Sequence, residues 1–121
     1  MKILIVDDSE PVRRLIAEII KPFATEILEC ASAAAAISLC ATRKPALVLT
    51  EIRVSDMNGI EATRRMRAAH PEAKIVIVTS DDDARLKKAA FAAGACDYRL
   101  KENLPDLAGL VAALTRESPS P

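Results

Sequence analysis

The chain has 121 residues, half of them hydrophobic and 28% charged, which suits one globular domain with a single core. Its 17 basic and 17 acidic residues cancel, which argues against direct binding to nucleic acid or to a membrane surface. No apolar run approaches the roughly 20 residues of a membrane span, and the N-terminus MKILIVDD is too short and too soon acidic for a signal peptide. We therefore expect a cytoplasmic protein.

Cysteine and histidine usage gives no sign of a zinc site or a disulfide framework. Cys30, Cys40 and Cys96 are widely spaced, no Cys-x-x-Cys pair exists, and His70 is the only histidine. We interpret the thiols as reduced and packed as small apolar groups. His70 precedes a proline in AAHPEA, and we interpret it as a solvated residue at a helix end rather than a catalytic base.

The chain begins with a predicted strand and an amphipathic helix. The run KILIV (2–6) is continuously apolar, which is typical of a strand buried on both faces. Ser9 is predicted to cap the next helix, with Pro11 in its first turn and Pro22 at its end. Apolar residues recur in this helix at helical spacing and are expected to face the core: Val12, Leu15, Ile16, Ile19 and Ile20.

Two further strand–helix units follow. TEILEC (25–30) is the second predicted strand, and Ser32 is predicted to cap the alanine-rich helix after it. ALVLT (46–50) is the third strand. Gly59 opens a helix that ends before His70 and the proline that follows it.

The last two units complete the pattern. KIVIVTS (74–80) is the fourth strand, and the acidic residues 81–83 suit the positive end of the next helix, which Gly94 ends. Residues 96–100 form a short fifth strand. The final helix carries an apolar stripe: Leu107, Leu110, Val111 and Leu114.

This order of elements predicts an α/β fold. Apolar strands without alternation, joined by helices, imply a parallel sheet with helices on both faces. Right-handed crossovers favour a flavodoxin-like, doubly wound (βα)5 domain with strand order 2-1-3-4-5. We assign residues 1–117 to this domain and residues 118–121 to a tail or the start of a linker. The functional crevice of such sheets lies at the carboxyl ends of the strands.

Polar residues collect at the predicted carboxyl ends of four strands. Any one of them is explained by the chain leaving the core, but like charges gathered at one edge need a further reason. The residues are Asp7 and Asp8, Glu51, Thr79 and Ser80, and Lys101. The loop VDDSEP has no glycine with which to wrap a phosphate, whereas paired carboxylates suit a hard cation such as Mg²⁺.

At these residues the chain resembles the receiver domains of bacterial response regulators. The resemblance covers almost the whole chain, through ILIVDDSEPVRRLI, PALVLTEIRVSDMNGIEATRRMR, IVIVTS and AAGACDYRLKE in the expected order and spacing. It implies a two-component signalling module that accepts a phosphoryl group from a histidine kinase on an Asp at the end of the third strand.

The resemblance also implies a metal site. Asp8, the residue at position 51 and the backbone carbonyl of Arg53 would hold Mg²⁺, and Asp7 would act through a water molecule. Lys101 would pair with the phosphoryl group.

A switch and a partner surface are implied in the same way. Thr79 would bond a phosphoryl oxygen, and Tyr98 would turn inward when Thr79 moves. The face that then changes what it binds comprises the fourth helix, fifth strand and fifth helix: Asp81 to Ala92, Tyr98 and Arg99, and Pro105 to Arg116.

The chain departs from the family pattern at the central position, where Glu51 replaces the phosphoacceptor Asp. The next loop has Val54 and Ser55 where Met-Pro is usual, and Lys101 is followed by Glu102 rather than Pro. The extra methylene of Glu51 extends the carboxylate by about 1.5 Å, which should let it reach Lys101. In-line phosphoryl transfer depends on positioning, so the displaced carboxylate should be a poor acceptor.

The sequence therefore favours an atypical receiver with weak or absent Mg²⁺ binding, acting by protein–protein interaction in a phosphorylation-independent or phosphomimic state. We predict no enzymatic activity beyond vestigial autophosphorylation or autodephosphorylation. The alternative is phosphorylation at a relaxed site or another acceptor, for which Ser55 and Asp56 are candidates. A histidine kinase and a second copy of the chain are further candidate partners. The acidic edge and the scarcity of aromatic residues argue against a flavin.

Overall fold

Five parallel strands form the centre of the structure, a computed structural model that describes residues 1–117. The predicted tail at residues 118–121 lies outside the described residues. The strands of this sheet are β1 Lys2–Val6, β2 Glu26–Cys30, β3 Leu47–Thr50, β4 Lys74–Thr79 and β5 Asp97–Leu100, and two short strands outside it, Arg53–Val54 and Met57–Asn58, pair antiparallel with each other. The helices are α1 Glu10–Ile20, α2 Ala33–Arg43, α3 Gly59–Ala69, α4 Ala84–Ala92 and α5 Leu107–Glu117.

The strand order is 2-1-3-4-5, as the sequence predicts. In the register of the central strands, Val6 at the end of β1 lies opposite Thr50 at the end of β3, and Thr50 lies opposite Ile77 of β4. The carboxyl ends of these three strands therefore meet at one edge. Within residues 1–117, no helix has the length and apolar character needed to cross a membrane.

Both faces of the sheet are buried. Ile3, Ile5 and Leu49 pack with α1 and α5 on one face, and Leu4, Val6 and Val48 pack with α2 and α3 on the other. This two-sided burial explains why the strands are continuously apolar.

The apolar stripe of α1 is narrower than predicted. Ile16 and Ile20 are fully buried, and Val12 and Ile19 pack partly against the same cluster. Leu15 was assigned to the core, but it is 57% exposed. It precedes Ile16 by one residue, about 100° round the helix, which places it beyond the edge of the buried stripe.

The helix termini follow local sequence signals. The hydroxyls of Ser9 and Ser32 accept hydrogen bonds from the amides of Val12 and Ala35, so both predicted caps are confirmed. α4 ends just before Gly94, whose φ of 116° is readily adopted only by glycine.

The prediction that His70 is solvated was wrong. Its side chain is buried, and its Nε2 lies 3.0 Å from the carbonyl oxygen of Pro45. The backbone leaves the helical conformation at His70, which allows the ring to fold beneath the loop before β3. The carbonyl can only accept a hydrogen bond, so Nε2 must carry the proton.

Replacing either of two glycines by alanine is expected to change the free energy of unfolding, in opposite directions. A Cβ on Gly59 would lie 1.9 Å from the carbonyl oxygen of Ile52, whereas a Cβ on Gly109, exposed within α5, would meet nothing within 4 Å. We expect Gly59→Ala to lower the free energy of unfolding by about 1–3 kcal/mol or more, because the backbone must move. We expect Gly109→Ala to raise it by about 0.5–1 kcal/mol.

Equilibrium urea denaturation measures both variants, and Gly109→Ala is the matched control for the added methyl group. A Gly59→Ala protein as stable as the native chain would contradict the close packing of the α3 N-terminus against Ile52.

Candidate functional site

Five of the six polar residues predicted at the strand ends, all except Asp7, line one cleft of about 390 Å³ at the carboxyl edge of the sheet. Asp7 lies beneath this cleft and is 1% exposed, whereas Asp8 is exposed at its rim. The residues lining the cleft are Asp8, Glu51, Arg53, Thr79, Ser80, Asp81 and Lys101. The strand order thus assembles the site from segments far apart in sequence.

The ammonium group of Lys101 lies between two buried carboxylates. Its Nζ is 2.5 Å from Oε2 of Glu51 and 2.7 Å from Oδ2 of Asp7. Partial burial lowers the pKa of Lys101, but its contacts with Asp7 and Glu51 outweigh that effect and raise the pKa above its ordinary value. The lysine is therefore a fixed positive charge in this site.

Asp7 is held by its surroundings at three further points. Its Oδ1 accepts a hydrogen bond from the Ser9 amide at 2.8 Å, and its carbonyl oxygen accepts one from Nη1 of Arg13 at 2.6 Å. Its own amide donates to the carbonyl oxygen of Cys30. Among residues 1–117, the only polar partner of its Oδ2 is the Lys101 ammonium. Arg13, which the sequence did not single out, thus helps to fix the acid.

Glu51 curls back over the chain that follows it. Its Oε1 accepts hydrogen bonds from the amides of Ile52 at 2.8 Å and Arg53 at 3.0 Å, while Oε2 contacts Lys101. The side chain is 6% exposed. Both carboxylate oxygens are therefore engaged, and the contact with Lys101 is the one expected from the longer side chain.

This arrangement does not fit a divalent cation as it stands. Mg²⁺ requires several oxygen ligands around one point, but the Lys101 ammonium lies between Asp7 and Glu51 and contacts one carboxylate oxygen of each. In the described part of the chain, no three Asp, Glu, His or Cys side chains are placed to hold a metal ion. The predicted ligands Asp7, Asp8 and Glu51 are close together, but they are not arranged as a coordination shell.

Tyr98 lies inside the protein beside the cleft. It is 7% exposed, and its hydroxyl donates to the carbonyl oxygen of Asp81 at 2.5 Å. The hydroxyl oxygen of Thr79 accepts a longer hydrogen bond, of 3.3 Å, from the amide of Asp81. Burial, together with the nearby carboxylates of Asp81 and Glu51, raises the pKa of the Tyr98 phenol. The two predicted switch residues thus meet at the backbone of Asp81.

An ion pair that the sequence analysis missed crosses the same region. Nε of Arg53 lies 2.6 Å from Oδ2 of Asp81, and Nη2 of Arg53 contacts the same oxygen. This hydrogen bond raises the pKa of the Arg53 guanidinium. The sequence contained a signal for this pair, because Arg53 stands two residues beyond Glu51 and Asp81 two residues beyond Thr79, at the ends of neighbouring strands.

Asp56 points away from the cleft. Its two carboxylate oxygens accept hydrogen bonds from the amides of Ala33 at 2.9 Å and Ala34 at 3.0 Å, at the N-terminus of α2. These bonds lower the pKa of Asp56. Asp56 therefore caps a helix together with Ser32 and lies outside the group of residues around Lys101.

Comparison with known proteins gives consistent results along almost the whole chain. Residues 3–114 match the family model described as "Response regulator receiver domain". Photosynthetic apparatus regulatory protein RegA of Rhodovulum sulfidophilum is 35% identical over 101 residues, which are 82% of this chain and 54% of that protein. Protein-glutamate methylesterase/protein-glutamine glutaminase 4 of Myxococcus xanthus is 35% identical over 98 residues, which are 78% of this chain and 28% of that protein.

A solved structure supports the same assignment. A two-component response regulator from Clostridium difficile superposes with a TM-score of 0.91 at 26% identity, covering 99% of each chain. The chain spans about half or less of the length of the two curated relatives above. Since the family model covers far more than half of this chain, the protein belongs to the response regulator receiver domains of two-component signalling.

Proposed function

We propose that this receiver domain acts as a cytoplasmic protein-interaction module and does not take a phosphoryl group on residue 51. The observation that carries the proposal is the engagement of both Glu51 oxygens, one with Lys101 at 2.5 Å and the other with the amides of Ile52 and Arg53. The proposal involves no direct contact with nucleic acid or a membrane and no enzymatic turnover.

The geometry at Glu51 opposes the transfer of a phosphoryl group to its carboxylate in two ways. In-line attack requires a carboxylate oxygen that is free and aligned, and here the longer side chain turns both oxygens onto donors. The same donors, a lysine and backbone amides, are of the kind that stabilise a transferred phosphoryl group. Glu51 satisfies them itself, so it acts as a partial substitute for that group.

The inward position of Tyr98 supports a phosphomimic state. In the receiver family an aromatic residue at this position is expected to turn inward when the Thr79 position moves, and Tyr98 is already buried and bonded to Asp81. One carboxylate carries less charge and fewer oxygens than a phosphoryl group. We therefore assign Thr79 and Tyr98 to a switch that Glu51 biases and that other contacts help to hold.

The partner surface that we propose is the α4–β5–α5 face. A shallow cleft of about 320 Å³ on this face carries charges of both signs, including Asp82, Lys87, Arg99 and Asp106. Phe91 of α4 is 41% exposed. Such a mixed surface suits a protein partner better than a polyanion. A histidine kinase and a second copy of the chain remain further candidate partners.

The contacts of Asp56 speak against the alternative of a second phosphoacceptor. Both its oxygens are bonded to the N-terminus of α2, and it does not line the cleft that contains Lys101. A phosphoryl group there would lack the lysine that neutralises its charge.

The proposal predicts the outcome of labelling with acetyl phosphate. In the presence of Mg²⁺, the native chain should be phosphorylated on the order of 100-fold or more slowly than the Glu51→Asp variant, because about 1 Å of displacement costs about that factor. Intact-mass spectrometry measures the incorporated phosphoryl group, and peptide mapping locates it.

Asp56→Asn is the control for a second acceptor and should leave the extent of phosphoryl incorporation unchanged. Stoichiometric phosphorylation of the native chain on Glu51 would overturn the proposal. Labelling lost in Asp56→Asn would favour the alternative acceptor instead. If Glu51→Asp also fails to react, the altered loop at Val54 and Ser55 contributes to the block.

The Glu51→Asp substitution should also change the affinity of the domain for Mg²⁺. Receiver domains typically bind Mg²⁺ at the acidic pocket, but in this chain the Lys101 ammonium is paired with both buried carboxylates. The shorter Asp at position 51 should loosen that pairing and leave Asp7 and Asp8 with a third oxygen donor. We expect isothermal titration calorimetry to detect tighter Mg²⁺ binding by Glu51→Asp than by the native chain. Micromolar affinity in the native chain would contradict this expectation.

A further inference from the structure

The side chains of Arg53 and Asp81 join two loops at the carboxyl edge of the sheet. Arg53 begins a two-residue strand, Arg53–Val54, in the segment after β3, and Asp81 lies in the loop between β4 and α4. Two guanidinium nitrogens contact the same carboxylate oxygen, with Nε at 2.6 Å. The two residues stand 28 positions apart, so the contact depends on the tertiary structure.

Asp81 also accepts a hydrogen bond from Tyr98. Its side chain is held by Arg53 from one side, while its carbonyl oxygen accepts the Tyr98 hydroxyl at 2.5 Å from the other. The link from Thr79 to the same loop is a longer hydrogen bond of 3.3 Å. Arg53 therefore provides a charged attachment for the loop on which the buried position of Tyr98 depends.

We propose that Arg53 is a positioning residue that holds Asp81, and through it Tyr98, in the inward conformation without phosphate. This inference rests on the proposed function. There, one Glu51 carboxylate substitutes only in part for a phosphoryl group, and the Arg53–Asp81 pair supplies a further contact that holds the switch. The Arg53 and Asp81 side chains are 70% and 25% exposed, so the pair is accessible to salt. Ionic strength, or a partner that competes for either charge, would therefore shift Tyr98 outward.

This role differs from a contribution to overall stability. Exposed ion pairs add little to the free energy of unfolding. A local equilibrium between two loop positions needs only a small bias, so the same contact can control where Tyr98 lies while the core stays intact. Removing Arg53 should therefore change the exposure of Tyr98 with little change in the melting temperature.

The composition of the chain allows a direct test. Tyr98 is the only tyrosine and there is no tryptophan, so tyrosine fluorescence and its quenching by acrylamide report on this ring alone. We expect Arg53→Ala and Asp81→Asn each to increase the quenching constant of the full chain. The charge-exchanged double variant, Arg53→Asp with Asp81→Arg, should return the constant toward the native value. Added sodium chloride should raise it in the native chain and not in Arg53→Ala.

Arg64→Ala is the matched control. The Arg64 side chain is 58% exposed and pairs with Glu61 of its own helix, α3, rather than with Asp81, so its removal should leave the quenching unchanged. Unchanged quenching in Arg53→Ala would overturn the inference, as would a loss of protection that occurs only in parallel with a fall in melting temperature. Neither result would alter the acetyl phosphate labelling on which the proposed function depends, so the two claims fail separately.

Discussion

The arrangement of the site depends on one positive charge held between two buried negative charges. Asp7 is 1% exposed and Glu51 is 6% exposed, and a carboxylate with so little solvent is costly unless it is paired. The Lys101 ammonium lies within 2.7 Å of both. Because the three residues follow β1, β3 and β5, their pairing ties together strands whose order brings those ends to one edge. It also fixes the direction in which Glu51 must point.

One methylene distinguishes Glu51 from the aspartate that the family pattern has at this position. Glutamate keeps the charge of aspartate but moves it, so the carboxylate contacts Lys101 and two amides at once. The groups that would stabilise a phosphoryl oxygen are thereby satisfied from within the protein. A second internal ion pair, between Arg53 and Asp81, lies in the next loop. The carbonyl oxygen of Asp81 accepts the hydrogen bond from the Tyr98 hydroxyl. Together these contacts give a receiver domain in which Tyr98 is held in a buried position by groups of the protein itself.

Sequence predicts the strand order, the Ser9 and Ser32 caps and the polar residues at the strand ends, because each depends on local pattern or on the geometry common to parallel sheets. The contacts of His70 and Asp56 do not, because their partners lie 25 and 22 or 23 positions away, and only the completed fold brings them together. Leu15 was misplaced because spacing alone does not define how wide a buried stripe is. For Arg53, the sequence analysis predicted a role only for the backbone carbonyl, as a metal ligand, whereas the structure shows that its side chain pairs with Asp81.

A double-mutant cycle of Glu51→Gln and Lys101→Met, measured by urea denaturation, tests most directly whether the buried pair organises the site. The two side chains are in contact, and hydrogen bonds to charged groups contribute about 1.5–3 kcal/mol. We predict a coupling free energy of about 1–3 kcal/mol between the two substitutions. Effects that add to within about 0.5 kcal/mol would show that Glu51 and Lys101 act independently and would contradict the account.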